Sequence, residues 1–349
     1  MLILYLIFLI LFIVGLRIKK HGFNESYIDI KTTTIINGFF VVMIFFSHFR
    51  NYYTTSNVFD ELLNSFCTNV GQMMVATFLF YSGYGIMESI KNKKDYIKFF
   101  FKNRFFPLWL NFSVAVSIYL LIGLFIGKYY DLSHILLSFI GFDSVGNSNW
   151  YIFTTFVLYI FTMAVFNGLF YKKGKELLCL ICLTIFSIIY IVILGYFVKH
   201  WFIDTTLCFS FGMWFSYLKT KIEPIIFKNY FITLLLSLLL FVGLFFVFKK
   251  FGRIHNLYYN LLSISFVWCI VLISMKLVFR NKLYLFFGKN AFWIFILQRI
   301  PMILFQYIIV NKYIYFIVSF IVTILLSVIF NKLMCFVHNK NMIIKKDEN

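Results

Sequence analysis

Tyr230-Phe-Ile-Thr-Leu-Leu-Leu-Ser-Leu-Leu-Leu-Phe-Val-Gly-Leu-Phe-Phe-Val-Phe248 runs for nineteen residues without a charged side chain. At ~1.5 Å per residue such a helix crosses the ~30 Å hydrocarbon core of a bilayer. In lipid, every backbone N–H and C=O must bond within the protein, which leaves helices or closed barrels. Barrel strands alternate apolar and polar residues. This run does not alternate, so it predicts a helix.

Ten further apolar runs lie at 2–16, 33–50, 70–87, 106–126, 150–170, 177–198, 201–218, 258–279, 290–310 and 313–331. Of the 349 residues 62% are hydrophobic, 23% are aromatic and only 13% are charged, against about 25% charged in soluble domains. The expected fold is therefore all-α: a polytopic transmembrane helix bundle of about eleven spans. Residues 1–32 form an N-terminal transmembrane anchor and cytoplasmic linker, 33–331 a ten-span membrane domain, and 332–349 a basic cytoplasmic tail. Met1–Leu16 has no basic residue before it and no small-residue cleavage site, so it reads as a retained anchor, stopped by Arg17, Lys19 and Lys20.

The net charge of +19 does not point to nucleic acid, because the basic residues sit in short clusters between apolar runs. Loops 17–32, 88–105, 171–176, 219–229 and 280–289 and the tail hold 23 Lys and Arg; the alternate loops hold 7. The positive-inside bias places the N-terminus outside and the C-terminus in the cytoplasm. Lys276 and Arg299 fall inside spans. The six cysteines lie mostly in or beside apolar runs and read as packing residues, with no disulfide framework and no metal site.

Ionisable groups at membrane depth need a reason, since insertion costs roughly 2.5–3.5 kcal/mol each. His48 stands eleven residues after Asn37 in the second span. At ~100° per residue both fall on one helix face, about 16 Å apart. Histidine is the side chain most readily poised as a general base near neutral pH; the plainer reading is an interfacial His wetted by headgroups. Gln298 and Arg299 sit near mid-depth of the tenth span, just before Pro301, which cannot bond to the Leu297 carbonyl. They suggest a hydrated or substrate-lined cavity, or else an internal ion pair with Asp204 as the acid nearest in depth. The segment Lys91–Trp109 holds six basic residues, and Lys102 and Arg104 flank a helix start at Pro107. That combination favours anions, phosphates included, though a basic inner loop in contact with lipid headgroups looks the same. Tyr81-Ser82-Gly83-Tyr84-Gly85 offers small residues for close helix packing. The longest outer segment, 127–149, ends in the polar run Gly141–Asn149.

In order, Asn37–His48, Phe78–Tyr84, Lys102–Pro107, Trp150-Tyr151 and Ala291–Pro301 resemble the acyltransferase-3 family of bacterial integral membrane acyltransferases over about residues 30–330. The family pattern is a basic residue, ten others and His; an aromatic run ending in Ser-Gly-aromatic; Arg shortly before Pro; a Trp-aromatic pair; and a late helix that often ends in Leu-His-x-Pro. Here Asn37 replaces the basic residue, Gln298 the late His, and Ala76 an acid that many members carry. The resemblance implies transfer of an acyl group, commonly acetyl, from cytoplasmic acyl-CoA to a hydroxyl of a cell-surface or lipid-linked glycan, in the bacterial cytoplasmic membrane. His48, Arg299 and Gln298 would be catalytic: His48 as base or acyl carrier, the other two stabilising the oxyanion or orienting the acceptor. Lys102, Arg104 and Asn37 would bind the CoA donor, and Trp150 and Tyr151 a sugar ring. The expected partners are membrane lipids and the glycan acceptor. A transporter or flippase for a lipid-linked saccharide would also need many spans and a buried Arg, but would favour inverted repeats, which are not visible here. A polymerase would favour a larger charged outer loop.

Overall fold

The computed structural model describes residues 1–55, 57–169 and 174–347. Much of the short basic loop expected at 171–176, and the last two residues of the tail, lie outside the described residues. Every one of the eleven apolar runs is helical over most of its length. The helices are α1 (Leu2–Val14), α2 (Ile30–Phe49), α3 (Val58–Asn92), α4 (Phe106–Phe125), α5 (Leu132–Phe139), α6 (Trp150–Met163), α7 (Glu176–Leu194), α8 (Leu207–Lys228), α9 (Tyr230–Phe251), α10 (Asn256–Ser274), α11 (Lys282–Lys289), α12 (Ala291–Leu297), α13 (Arg299–Phe305) and α14 (Lys312–Asp347). The all-α bundle is as expected. Among the described residues, seven helical stretches are long and apolar enough to cross a membrane.

Which faces are apolar tells where lipid lies. On α9, Leu235, Leu236, Leu239, Leu240 and Phe246 are all exposed, with only Tyr230 and Ser237 buried. Water would penalise such a helix; lipid does not. α2 is the opposite: Ile35 to Phe49 is almost continuously buried, so it forms the axis of the bundle.

Glycines set the closest crossings. A Cβ on Gly38 would stand 1.9 Å from the Tyr284 carbonyl oxygen, and one on Gly288 would stand 1.8 Å from that of Thr34, so α2 and α11 touch backbone to backbone. Gly83 and Gly212 do the same for α3 and α8, each 2.1 Å from a carbonyl oxygen of the other helix. The packing role read for Gly83 is therefore met, while Gly85 faces open space. A carbonyl cannot swing aside as a side chain can. Gly212→Val is expected to force the helices apart and destabilise the fold by roughly 1–3 kcal/mol or more; a thermal unfolding scan in detergent measures it.

Three boundaries differ from expectation. α10 stops at Ser274, and Leu277–Phe279 (β2) pairs antiparallel with Leu16–Ile18 (β1), the strand that follows α1. Lys276 therefore lies beyond its helix rather than within a span, with Nζ 2.9 Å from the Gly22 carbonyl and 4.5 Å over the Phe23 ring. The seventh apolar run becomes regular helix only at Leu207, after a short turn at His200–Phe202. Ahead of Pro107, the chain forms a wide π-helical turn over Phe101–Phe105, so Lys102 and Arg104 lie within that turn. Proline cannot continue the ordinary i→i−4 ladder, and the wider turn accommodates the break.

Candidate active site

His48 lies in the last turn of α2. Asp29 starts that helix, its carboxylate accepting the Thr32 N–H at 2.6 Å. Arg50 fixes the far end: its guanidinium donates to the carbonyls of Ser47 (3.1 Å) and Asn64 (3.0 Å) and to the Thr68 hydroxyl, tying α2 to α3. The imidazole turns into the protein, not into lipid. Its ring centroid is 6.0 Å from that of Phe295, and its Nδ1 is 3.4 Å from Ser148 Oγ. Gln298 and Arg299 are also neighbours of the ring.

The break that Pro301 imposes produces this meeting. α12 ends at Leu297, Gln298 is a turn residue, and α13 starts at Arg299. Side chains bond the carbonyls just before the break: Gln298 Nε2 donates to Phe295 O at 2.7 Å and Tyr119 Oη to Ile296 O at 2.9 Å. Gln298 is wholly buried, yet its Oε1 has no hydrogen-bond partner within the protein, and neither does Arg299 Nε. The alternative pairing of Arg299 with Asp204 is not formed. Asp204 is held instead by Arg253, and its Oδ2 lies 3.1 Å from His200 Nδ1. No carboxylate pairs with Arg299 among the described residues.

A cavity of about 140 Å³ begins beside Phe295 and Tyr151 and is lined further by Phe78, Leu108, Thr155 and Tyr159. From Tyr151 to Tyr159 is about 12 Å along α6. Tyr159 Oη is 3.1 Å from Ser82 Oγ, and Arg104 is among the charges acting on it. Arg104 Nε donates to Tyr96 Oη at 3.1 Å, and Lys102 is exposed. The cavity thus lies between the His48 centre and the basic end of the bundle.

A family model described as an acyltransferase domain matches residues 27–332. The chain belongs to the acyltransferase-3 family. No curated protein and no solved structure matches it. Within this acyltransferase, the residues read from sequence fall into two groups. His48, Gln298, Arg299 and Tyr151 converge at one centre; Trp150, edge-on to Tyr151 at 6.2 Å, opens α6 beside it. Lys102 and Arg104 stand apart at the other end. Asn37 lies three helical turns from His48, with Oδ1 buried and unpartnered. The sequence reading missed Ser148 and Asn147. Both are buried, and the Asn147 Nδ2 has no partner within the protein. The signal available was the polar run Gly141–Asn149, too small and too polar for an ordinary membrane-facing loop.

Proposed function

We propose that this membrane acyltransferase takes its acyl group, acetyl in the first instance, from cytoplasmic acyl-CoA and delivers it to a hydroxyl of a cell-surface or lipid-linked glycan. The observation that carries the reading is the cavity between the inward-facing imidazole of His48 and the basic segment around Arg104. On this reading the thioester enters along that path on its pantetheine arm. Lys102 and Arg104 would bind the anionic nucleotide end, with the Asn37 amide offering an additional polar contact. The thioester would come to rest beside His48, and Trp150 and Tyr151 would give a sugar ring a flat wall. On this reading the bundle sits in the bacterial cytoplasmic membrane, with its basic loops and C-terminus inside and its N-terminus outside.

The chemistry assigned to the chain's own groups is modest in number. His48 accepts the proton of the attacking hydroxyl and later returns one to the departing CoA thiolate. Arg299 supplies a cation to the tetrahedral oxyanion, and Gln298 holds the imidazole in place. Membership of an acyltransferase family favours group transfer over transport or polymerisation. No metal is required by any of these steps.

Mass spectrometry of surface glycans with and without the gene tests the reading. A loss of one acyl group per repeating unit in the deletion strain supports it; identical glycan masses overturn it. Arg104→Gln is expected to raise KM for acyl-CoA roughly tenfold with kcat little changed, because one charge-assisted phosphate contact is lost far from the reacting bond. Steady-state kinetics on purified protein measure both constants.

A further inference from the structure

We propose that Ser148 is the nucleophile that carries the acyl group between donor and acceptor as a seryl ester, with His48 as its base. The inference rests on the acyl-CoA reading above and adds a covalent step to it.

The loop that brings Ser148 to His48 is built to do so. Gly141 (φ +81°) and Gly146 (φ +106°) take left-handed conformations that let the chain double back. Three other polar side chains bind the loop to itself, while Asp143 reaches out to His134 on α5 (3.5 Å): Asn149 Nδ2 donates to the carbonyls of Gly141 (2.8 Å) and Phe142 (3.0 Å), Ser144 Oγ to that of Asn147 (2.7 Å), and Asn147 Oδ1 accepts from the Val145 N–H (3.2 Å). Ser148 takes no part in this network. The residue is 2% exposed, and the one hydrogen-bond partner of its hydroxyl among the described residues is His48 Nδ1, at 3.4 Å. Catalytic contacts of this length in a substrate-free site tighten when substrate binds.

A nucleophile beside a base, with a third group orienting that base, marks covalent catalysis. Gln298 supplies the third group: its amide nitrogen is anchored to Phe295 O, which leaves its buried Oε1 beside the imidazole to accept a hydrogen bond from the ring. Two buried donors near the loop and the ring, Asn147 Nδ2 and Arg299 Nε, also lack partners. Unpaired buried donors are costly, and a developing oxyanion is a partner that repays both.

In the first half-reaction Ser148 Oγ attacks the thioester carbonyl and gives its proton to His48. The C–S bond breaks, and His48 protonates the departing thiolate to give free CoA. In the second, the acceptor hydroxyl loses its proton to His48 and attacks the seryl ester. Ser148 Oγ leaves and recovers the proton. The relay lets the donor depart toward one side of the bundle before the acceptor arrives from the other.

Purified full-length protein incubated with acetyl-CoA and no acceptor is expected to gain one acetyl group on the peptide containing Ser148, with one CoA released. Ser148→Ala and His48→Ala should show no such adduct. Ser148→Cys, which keeps a nucleophile in the loop, should form a thioester cleaved by neutral hydroxylamine. In a deletion strain, at matched membrane abundance, Ser148→Ala should restore glycan acylation at least a hundredfold more weakly than wild type. Wild-type levels of acylation with Ser148→Ala would overturn the proposal and leave the acyl-CoA reading standing. If wild type itself neither consumes acetyl-CoA nor alters the glycans, both fall together.

Discussion

His48→Ala is expected to lower acyl transfer about 10²–10⁴-fold, the usual contribution of a positioned general base. No other group in the centre can take over. The cavity walls beside it are Val, Phe, Leu, Tyr, Thr and Ala side chains, with no carboxylate among them. The two tyrosines of that wall, Tyr151 and Tyr159, lack a basic form near neutral pH. His48→Gln sharpens the test, because an amide of similar reach can still touch Ser148 yet cannot accept a proton at neutral pH. It should be as inactive as alanine, with the same unfolding temperature as wild type. Full transfer by either variant, with expression matched, would mean that the imidazole only fills space.

Arg299→Leu carries the second large effect, and it moves activity and stability in opposite directions. An arginine near mid-depth with no acidic partner among the described residues is expensive to insert, by about 2.5–3.5 kcal/mol. Leucine removes that cost and should leave the bundle as stable as wild type or more so. Loss of a preorganised cation from the oxyanion should cut kcat about 10²–10³-fold. Lysine at this position keeps the charge but not the planar fork, and should fall between the two. Thermal unfolding and turnover on the same preparation separate these outcomes. A destabilised Arg299→Leu protein with normal turnover per folded molecule would make the residue structural.

How much of this was legible in the sequence depends on whether the determinant is local. The lipid-facing helix α9 is spelled out by its uninterrupted apolar run, and the break at Gln298 by Pro301, because both follow from backbone chemistry within a few residues. Gly83 could be read as a packing residue, but its partner Gly212 could not, since that pairing depends on how two distant helices cross. The same limit applies to charges. Depth alone suggested Asp204 for Arg299, whereas the folded chain gives Asp204 to Arg253, from the loop between α9 and α10. Lys276 counted as a membrane residue because the apolar run continues past it; the strand pair with Leu16–Ile18, 259 or more positions away in sequence, is what draws it out. Ser148 was hidden for another reason. A loop without periodicity does not announce which of its polar side chains turns inward, and the hydroxyl that meets His48 is one of two, Ser144 and Ser148, in Gly141–Asn149.

Photoaffinity labelling with an acyl-CoA that carries a diazirine in its acyl chain tests the central claim most directly. If the thioester reaches His48 through the interior of the bundle, peptide mapping will place adducts on Tyr151, Thr155, Tyr159 or Phe295, and unlabelled acetyl-CoA will compete them away. Labelling confined to the lipid-facing side of α9, unaffected by competitor, would contradict the account.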